Sequence, residues 1–167
     1  MPLKARVVTY IEAQHDAVLD LEVVRSDYSK RNVVEFPSGT GNGQVDKKFT
    51  DKRTLAASAN EDLDLAGSLV DAFGAVITFA KIRALRIKAA AENTNNVVVK
   101  PAAATGWLGP FGAATHTLTL PPGGELLLVA PVAGWSVGAG ATDLLNVANS
   151  GAGSSVTYEI EILGASA

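Results

Sequence analysis

Val156-Thr157-Tyr158-Glu159-Ile160-Glu161-Ile162-Leu163 is the stretch of this chain that decides its fold. Every second residue from Val156 to Ile162 is apolar, and the residues between them are Thr157, Glu159 and Glu161. Successive side chains of a β-strand point to opposite faces, so this alternation predicts an antiparallel strand with one buried and one wet face.

Similar short patterns recur along the chain, and turn signals such as Pro122-Gly123-Gly124 separate them. Many short strands with frequent turns predict a mainly β protein, an antiparallel β-sandwich or jelly roll. The Gly-rich segment 149–153 predicts a hairpin from Leu144 to Leu163. Residues 71–79 could hold a helical turn. The further strands that we predict are Leu19–Val23, Leu63–Leu65, Ile82–Ala89, Val97–Lys100, Thr117–Leu120, Glu125–Ala130, Trp135–Val137 and Leu144–Ala148.

The segment Ser26–Gly43 has a different composition, with a charged first half and the run Pro37-Ser38-Gly39-Thr40-Gly41-Asn42-Gly43. Such a composition is typical of a flexible loop or linker. We therefore predict two parts: residues 1–43 as an extended N-terminal arm or hairpin, and residues 44–167 as the β-sandwich domain.

The second half of the chain is almost free of charge. From Pro101 to Ala167 there is no Lys or Arg, and the acids are Glu125, Asp143, Glu159 and Glu161. Soluble domains usually carry mixed charges over their surface. Glycine-rich turns and buried strand faces account for part of this deficit. The remaining neutral surface indicates a subunit that packs among neighbours.

Composition also excludes several kinds of function. The chain has no cysteine, so disulfides, thiolate metal sites and cysteine nucleophiles are absent. The sequence has no basic cluster with interleaved aromatics, the pattern that would indicate nucleic-acid binding. It also has no apolar run long enough for a transmembrane helix. The N-terminus lacks the apolar region of a secretory signal. We expect no cofactor and no membrane association, and synthesis in a cytoplasm.

Three sets of side chains are candidates for chemistry or binding. Glu159 and Glu161 share a strand face at a spacing that glycosidases use, but such pairs are usually surface charges. The acids Glu61, Asp62, Asp64 and Asp71 could hold calcium, although the EF-hand pattern is missing. The aromatic residues Trp107, Phe111 and Trp135 lie in or beside glycine-rich loops, where they either pack in the core or anchor an interface. We predict no catalytic residue and name these three aromatics as the interface candidates.

Several turn and strand patterns of residues 45–167 form a recognisable set: Thr54–Ala57, Glu61–Leu65, Asp71–Gly74, Phe79, Ile82, Leu120–Gly124, Ala130–Pro131, Gly134–Trp135, Asp143–Leu145 and Val156–Tyr158. Together these stretches resemble a group of small virion proteins of tailed bacteriophages. The resemblance lies in turn and strand patterns, not in catalytic motifs. It implies a β-sandwich or jelly-roll decoration (cement) protein that clamps neighbouring major capsid subunits, often as a trimer.

These observations together predict a non-enzymatic structural protein of a virion, with its own copies and the major capsid protein as partners. The arm before Gly43 is the part that we expect to reach a neighbouring subunit. A location in the tail or neck, as a receptor-binding or carbohydrate-binding β-module, is the alternative. A glycan-cleaving enzyme that uses Glu159 and Glu161 is a second rival.

Overall fold

A computed structural model describes residues 2–167. Within them the chain is all β, as the sequence predicts, and no helix is long and apolar enough to cross a membrane. The eleven strands formed by these residues are β1 (Ala5–Val18), β2 (Val23–Phe36), β3 (Lys47–Leu55), β4 (Asn60–Asp64), β5 (Lys81–Ala89), β6 (Val97–Pro101), β7 (Leu118–Leu120), β8 (Glu125–Val129), β9 (Trp135–Ser136), β10 (Leu144–Asn149) and β11 (Val156–Ala165).

The residues after the arm form a two-sheet antiparallel sandwich. One sheet has the order β3-β11-β5-β8, with the short β9 also pairing with β5, and the other has the order β4-β10-β6-β7. Successive strands mostly switch from one sheet to the other, so neighbours in a sheet are distant in sequence. This alternation is the jelly-roll arrangement.

The core lies between the two sheets and is built from the inward faces that the alternation predicts. In β11 the side chains of Val156, Tyr158, Ile160 and Ile162 are all 0% exposed. Leu63 of β4 is also buried, whereas Asp62 beside it is exposed. The period-two patterns therefore identify the core-facing side of these strands correctly.

Three local predictions are wrong. Leu144–Leu163 is not a hairpin, because β10 pairs with β4 and β6 whereas β11 pairs with β3 and β5 in the opposite sheet. Leu19–Val23 is not a strand: residues 19–22 form the turn between β1 and β2, closed by a 2.8 Å hydrogen bond from Leu19 N to Glu22 O. Residues 71–79 contain a tight turn and an isolated bridge between Val70 and Val76, not a helical turn.

The arm is a long two-stranded hairpin. β1 and β2 pair with each other over fourteen residues each and with no other strand. Residues 8–32 are all exposed, and only the base, where Phe36 is 2% exposed, is buried. At about 3.4 Å per residue, the exposed pairs from Thr9 to Val18 extend about 34 Å from the sandwich.

The loop after the arm is hydrogen-bonded to the sandwich, and the segment Ser26–Gly43, which the sequence predicts as a flexible loop or linker, falls into two parts. Its first part belongs to β2. Its Gly-rich part is held by Arg83, which is 1% exposed and donates to Val132 O at 2.6 Å, Gly41 O at 3.0 Å and Gln44 O at 3.4 Å. Glycine and serine here form a docked turn around a buried guanidinium.

Gly164 marks the irregularity in the pairing of β11 with β5. A Cβ atom at this position would lie 2.3 Å from Lys81 O and 2.6 Å from a ring atom of Phe79. The close approach of these two groups therefore requires a glycine. The bulge lets β11 continue to Ala165, beside the start of β3.

Candidate assembly interface

The register of the arm divides its side chains into two faces. Directly opposite residues of an antiparallel pair share a face, as Ile11 and Lys30 do, and the next pair points the other way. We call one face the apolar arm face. Beyond the base of the arm it consists of Thr9, Ile11, Ala13, His15, Ala17, Val24, Ser26, Tyr28, Lys30 and Asn32.

The opposite face, which we call the charged arm face, carries five formal charges over the same length. Its side chains bond to one another: Arg25 forms a bidentate ion pair with Asp16 at 2.8 and 3.1 Å, and Tyr10 donates to Glu12 at 3.0 Å. The hydrogen bonds from Arg25 and from Gln14 lower the pKa of Asp16. Its charges are therefore paired or open to water, as on a solvated surface.

The apolar arm face has one formal charge, Lys30. No side-chain hydrogen bond or ion pair involves this face within residues 2–167. Its large side chains are open to solvent, with Ile11 64%, Tyr28 54% and Val24 45% exposed. Fully burying one such side chain contributes about 1.5–3 kcal/mol. The charged arm face also exposes Val18 and Val23, at 82% and 60%, so the two faces differ mainly in charge. A projecting ribbon with exposed apolar side chains and one nearly uncharged face is suited to dock on another protein surface.

The two outer faces of the sandwich differ in charge. The outer face of the β3-β11-β5-β8 sheet carries seven charged residues, with Arg86 at the centre bonded to Glu125 and Glu161 at 2.9 Å. Arg86 lowers the pKa of Glu125, mainly through this hydrogen bond. The charged residues of this face are Lys48, Lys52, Arg86, Lys88, Glu125, Glu159 and Glu161.

The outer face of the β4-β10-β6-β7 sheet, which we call the neutral sheet face, carries only three charges, Asp62, Asp64 and Lys100. Its middle rung joins Asp62, Asn146 and Lys100, and at one end the partly exposed Ala148 lies opposite Asn60 and Val98. The other members of this face are Leu144, Asn146 and Thr119. Since Val147 and Leu145 are 0% exposed on the inner side, these residues point outward.

A second apolar protrusion lies on the loop between β4 and β5. Phe73 is 82% exposed at the end of a turn that Asp71 closes, its Oδ1 accepting from Phe73 N at 2.8 Å and Ala75 N at 2.9 Å. Val70 and Val76 form its base and are also exposed. The turn therefore presents one aromatic ring on a hydrogen-bonded support.

The three aromatic residues that the sequence proposes as interface anchors lie together in or against the core. Trp107 is 0% and Phe111 7% exposed, and Trp107 Nε1 donates to Ser136 O at 2.9 Å. Trp135 is partly buried and meets Trp107 edge to face, with ring centroids 6.4 Å apart. Trp107 and Phe111 therefore pack in the core, which is the other interpretation that the sequence allows. The interface role stays a prediction that their burial does not support.

The acidic candidates all have protein partners. Glu161 and Glu159 lie on the outer face of the larger sheet, with Arg86 at 2.9 and 4.0 Å. Glu61 accepts hydrogen bonds from Tyr158 at 2.7 Å and Arg53 at 2.6 Å. Within residues 2–167 no three His, Asp or Glu side chains form a group that could hold a metal ion.

Comparison with known proteins adds little. No protein-family model matches the chain, and no curated protein matches it. A solved structure described as a Bacillus endospore appendage, of a family of disulfide-linked pili, is similar over 78% of this chain and 97% of its own, with 16% identity and a TM-score of 0.36. A similarity of this size gives no information on function.

Proposed function

We propose that this protein is a non-enzymatic structural subunit that decorates and stabilises the capsid of a bacteriophage, and that its hairpin arm binds a neighbouring subunit. The virion context comes from the resemblance of residues 45–167 to small virion proteins. The proposed partners are its own copies, as a trimer, and the major capsid protein. Such a protein would be made in the host cytoplasm and end on the particle surface.

One observation carries the assembly part of this proposal: the apolar arm face has no partner among residues 2–167 of its own chain. Burying Ile11 and Tyr28 on a neighbour would together contribute about 3–6 kcal/mol, offset by the freedom that association removes. A single contact of this size is weak. On a capsid lattice, many copies would convert weak contacts into stable binding.

A shortened arm tests the proposal without disturbing the sandwich. Deleting residues 10–13 together with 28–31 removes four opposite pairs and keeps the register, the turn and the identity of each face. We expect the variant to keep the unfolding free energy of the sandwich within about 1 kcal/mol and to lose self-association and co-sedimentation with purified tailed-phage capsids. Equal assembly by the shortened and full-length proteins would refute the role of the arm.

The two arm tyrosines offer a matched pair of point variants. Tyr28 on the apolar arm face and Tyr10 on the charged arm face are both 54% exposed. Tyr28→Ser should weaken self-association, measured by sedimentation velocity over a concentration series, whereas Tyr10→Ser should leave it nearly unchanged. Equal effects of the two substitutions would show that the arm does not use one face.

A further inference from the structure

We propose that the apolar arm face docks on the neutral sheet face of a second copy of this chain. The inference rests on the proposed function, because it names the surface that receives the arm. It follows from where the arm is attached, from the charges of the surfaces and from their dimensions.

The attachment of the arm excludes its own neutral sheet face. Val7 and Val8 at the base of the arm line a pocket of about 290 Å³ with Ala84, Leu127 and Leu163, which lie on the outer side of the other sheet. Two packed sheets are about 10 Å apart, and the neutral sheet face points away from this pocket. A straight ribbon that starts there cannot turn around the sandwich, so the contact must be made with another copy.

Charge favours the neutral sheet face over the outer face of the larger sheet. The apolar arm face brings one formal charge, Lys30, and no acid to balance it. The outer face of the larger sheet carries seven charges that are already paired or hydrated, and covering part of them has a large desolvation cost. The neutral sheet face carries three charges, the carboxylate of Asp62 on the same rung as Lys100 and the carboxylate of Asp64 opposite Leu144, and its rung of Val98 and Ala148 has none. Lys30 would therefore pair with Asp62 or Asp64 while Ile11 and Tyr28 cover Val98 and Ala148.

The dimensions of the two surfaces agree with a small contact. Four strands about 4.8 Å apart make the neutral sheet face about 19 Å wide, which is the length of three rungs of the apolar arm face. The three middle rungs are Ile11 with Lys30, Ala13 with Tyr28, and His15 with Ser26. With a ribbon about 10 Å wide, the contact between one arm and one neutral sheet face covers about 190 Å². This area is smaller than that of a stable protein–protein interface. The association is expected to be weak and concentration-dependent.

Cysteine cross-linking captures such a contact, and this chain contains no cysteine of its own. The test mixes two full-length single-cysteine proteins of different tag mass, Ala13→Cys on the apolar arm face and Ala148→Cys on the neutral sheet face, under mild oxidation. Two control mixtures change one surface each: Gln14→Cys on the charged arm face with Ala148→Cys, and Ala13→Cys with Lys88→Cys on the larger sheet. Both control positions are exposed.

We expect the mixed disulfide between Ala13→Cys and Ala148→Cys to form in roughly tenfold higher yield than either control, since tenfold corresponds to about 1.4 kcal/mol of contact preference. A charge exchange provides the second measurement. Lys30→Glu in the arm protein should lower the yield, and Asp62→Lys in the receiving protein should restore it.

Three results would overturn the inference: equal yields in all mixtures, preferential linkage to Lys88→Cys, or linkage of Ala13→Cys mainly to itself. These results are distinguishable from failure of the proposed function. If the shortened arm abolishes assembly but the Ala148→Cys linkage fails, the arm binds elsewhere and only the receiving surface is wrong. If the shortened arm assembles normally, the proposed role of the arm fails first.

Discussion

Replacement of Arg83 by Met tests how the arm is fixed to the sandwich. The guanidinium donates to Val132 O at 2.6 Å and to Gly41 O at 3.0 Å, and hydrogen bonds from a charged donor contribute about 1.5–3 kcal/mol each. Their loss would therefore cost about 3–6 kcal/mol if nothing offset it.

Two features of the site reduce this cost. Arg83 is buried, and within residues 2–167 no carboxylate pairs with it, so burial lowers its pKa and Met removes a desolvation penalty. Both carbonyl oxygens also keep a second donor: Gly43 N lies 3.0 Å from Val132 O, and Gln44 N lies 3.1 Å from Gly41 O. The expected net loss for Arg83→Met is about 2 kcal/mol.

Arg83→Lys should cost more than Arg83→Met, about 3 kcal/mol, because the ammonium keeps the buried charge but cannot reach two carbonyls as a planar fork. Equilibrium urea unfolding at 25 °C measures the unfolding free energy of both variants against the wild-type protein. The separate variant Lys88→Met serves as a surface control. A loss below about 0.5 kcal/mol for Met, or a Lys variant that is more stable than the Met variant, would refute this account of the site.

Two further substitutions probe the sandwich itself. Gly164→Ala should lower the unfolding free energy by at least about 2 kcal/mol, since the new methyl group would overlap Lys81 O, and thermal unfolding at neutral pH would detect it as a drop of several degrees. Tyr158 is fully buried, and burial followed by its hydrogen bond to Glu61 raises its pKa above the ordinary 10.0. Because the folded state favours the protonated phenol, the contribution of Tyr158 to the unfolding free energy is fully present below pH 10.0 and decreases as the pH rises above it. Tyr158→Phe should remove this decrease, which urea unfolding at a series of alkaline pH values would measure. An unchanged alkaline slope would assign the loss to other groups.

The sequence predicts the strands of the sandwich well and the two strands of the arm poorly, for a physical reason. β11 and β5 have one buried face, and burial imposes the apolar period of two that sequence analysis detects. β1 and β2 have no buried face beyond their base, so their side chains follow no such pattern and their composition resembles a loop. Pairing with each other, not a core, makes them strands.

A weaker signal was present in the charges of the arm. The charged residues of β1 all fall on even positions, and those of β2 other than Lys30 fall on odd positions; they are Arg6, Glu12, Asp16, Arg25, Asp27, Arg31 and Glu35. This period of two in charge alone distinguishes a ribbon with one charged face from a flexible linker. The exposed Ile11, Val24 and Tyr28, which carry the proposed contact, give no comparable signal, because isolated apolar residues in a charged segment stand out less than aromatics in glycine-rich loops such as Trp107 and Phe111.

The position of β11 has a consequence for how the protein folds. This strand lies in the middle of its sheet and pairs with β3, about a hundred residues earlier, and with β5. Until residues 156–165 have left the ribosome, β3 and β5 have no shared partner, so the sandwich closes only late and through contacts of long sequence separation, which form slowly. The arm needs no such delay, because hairpins form within microseconds once their turn is available. The two strands of the arm are consecutive in the sequence, so their pairing does not wait for residues 156–165, whereas closure of the sandwich does.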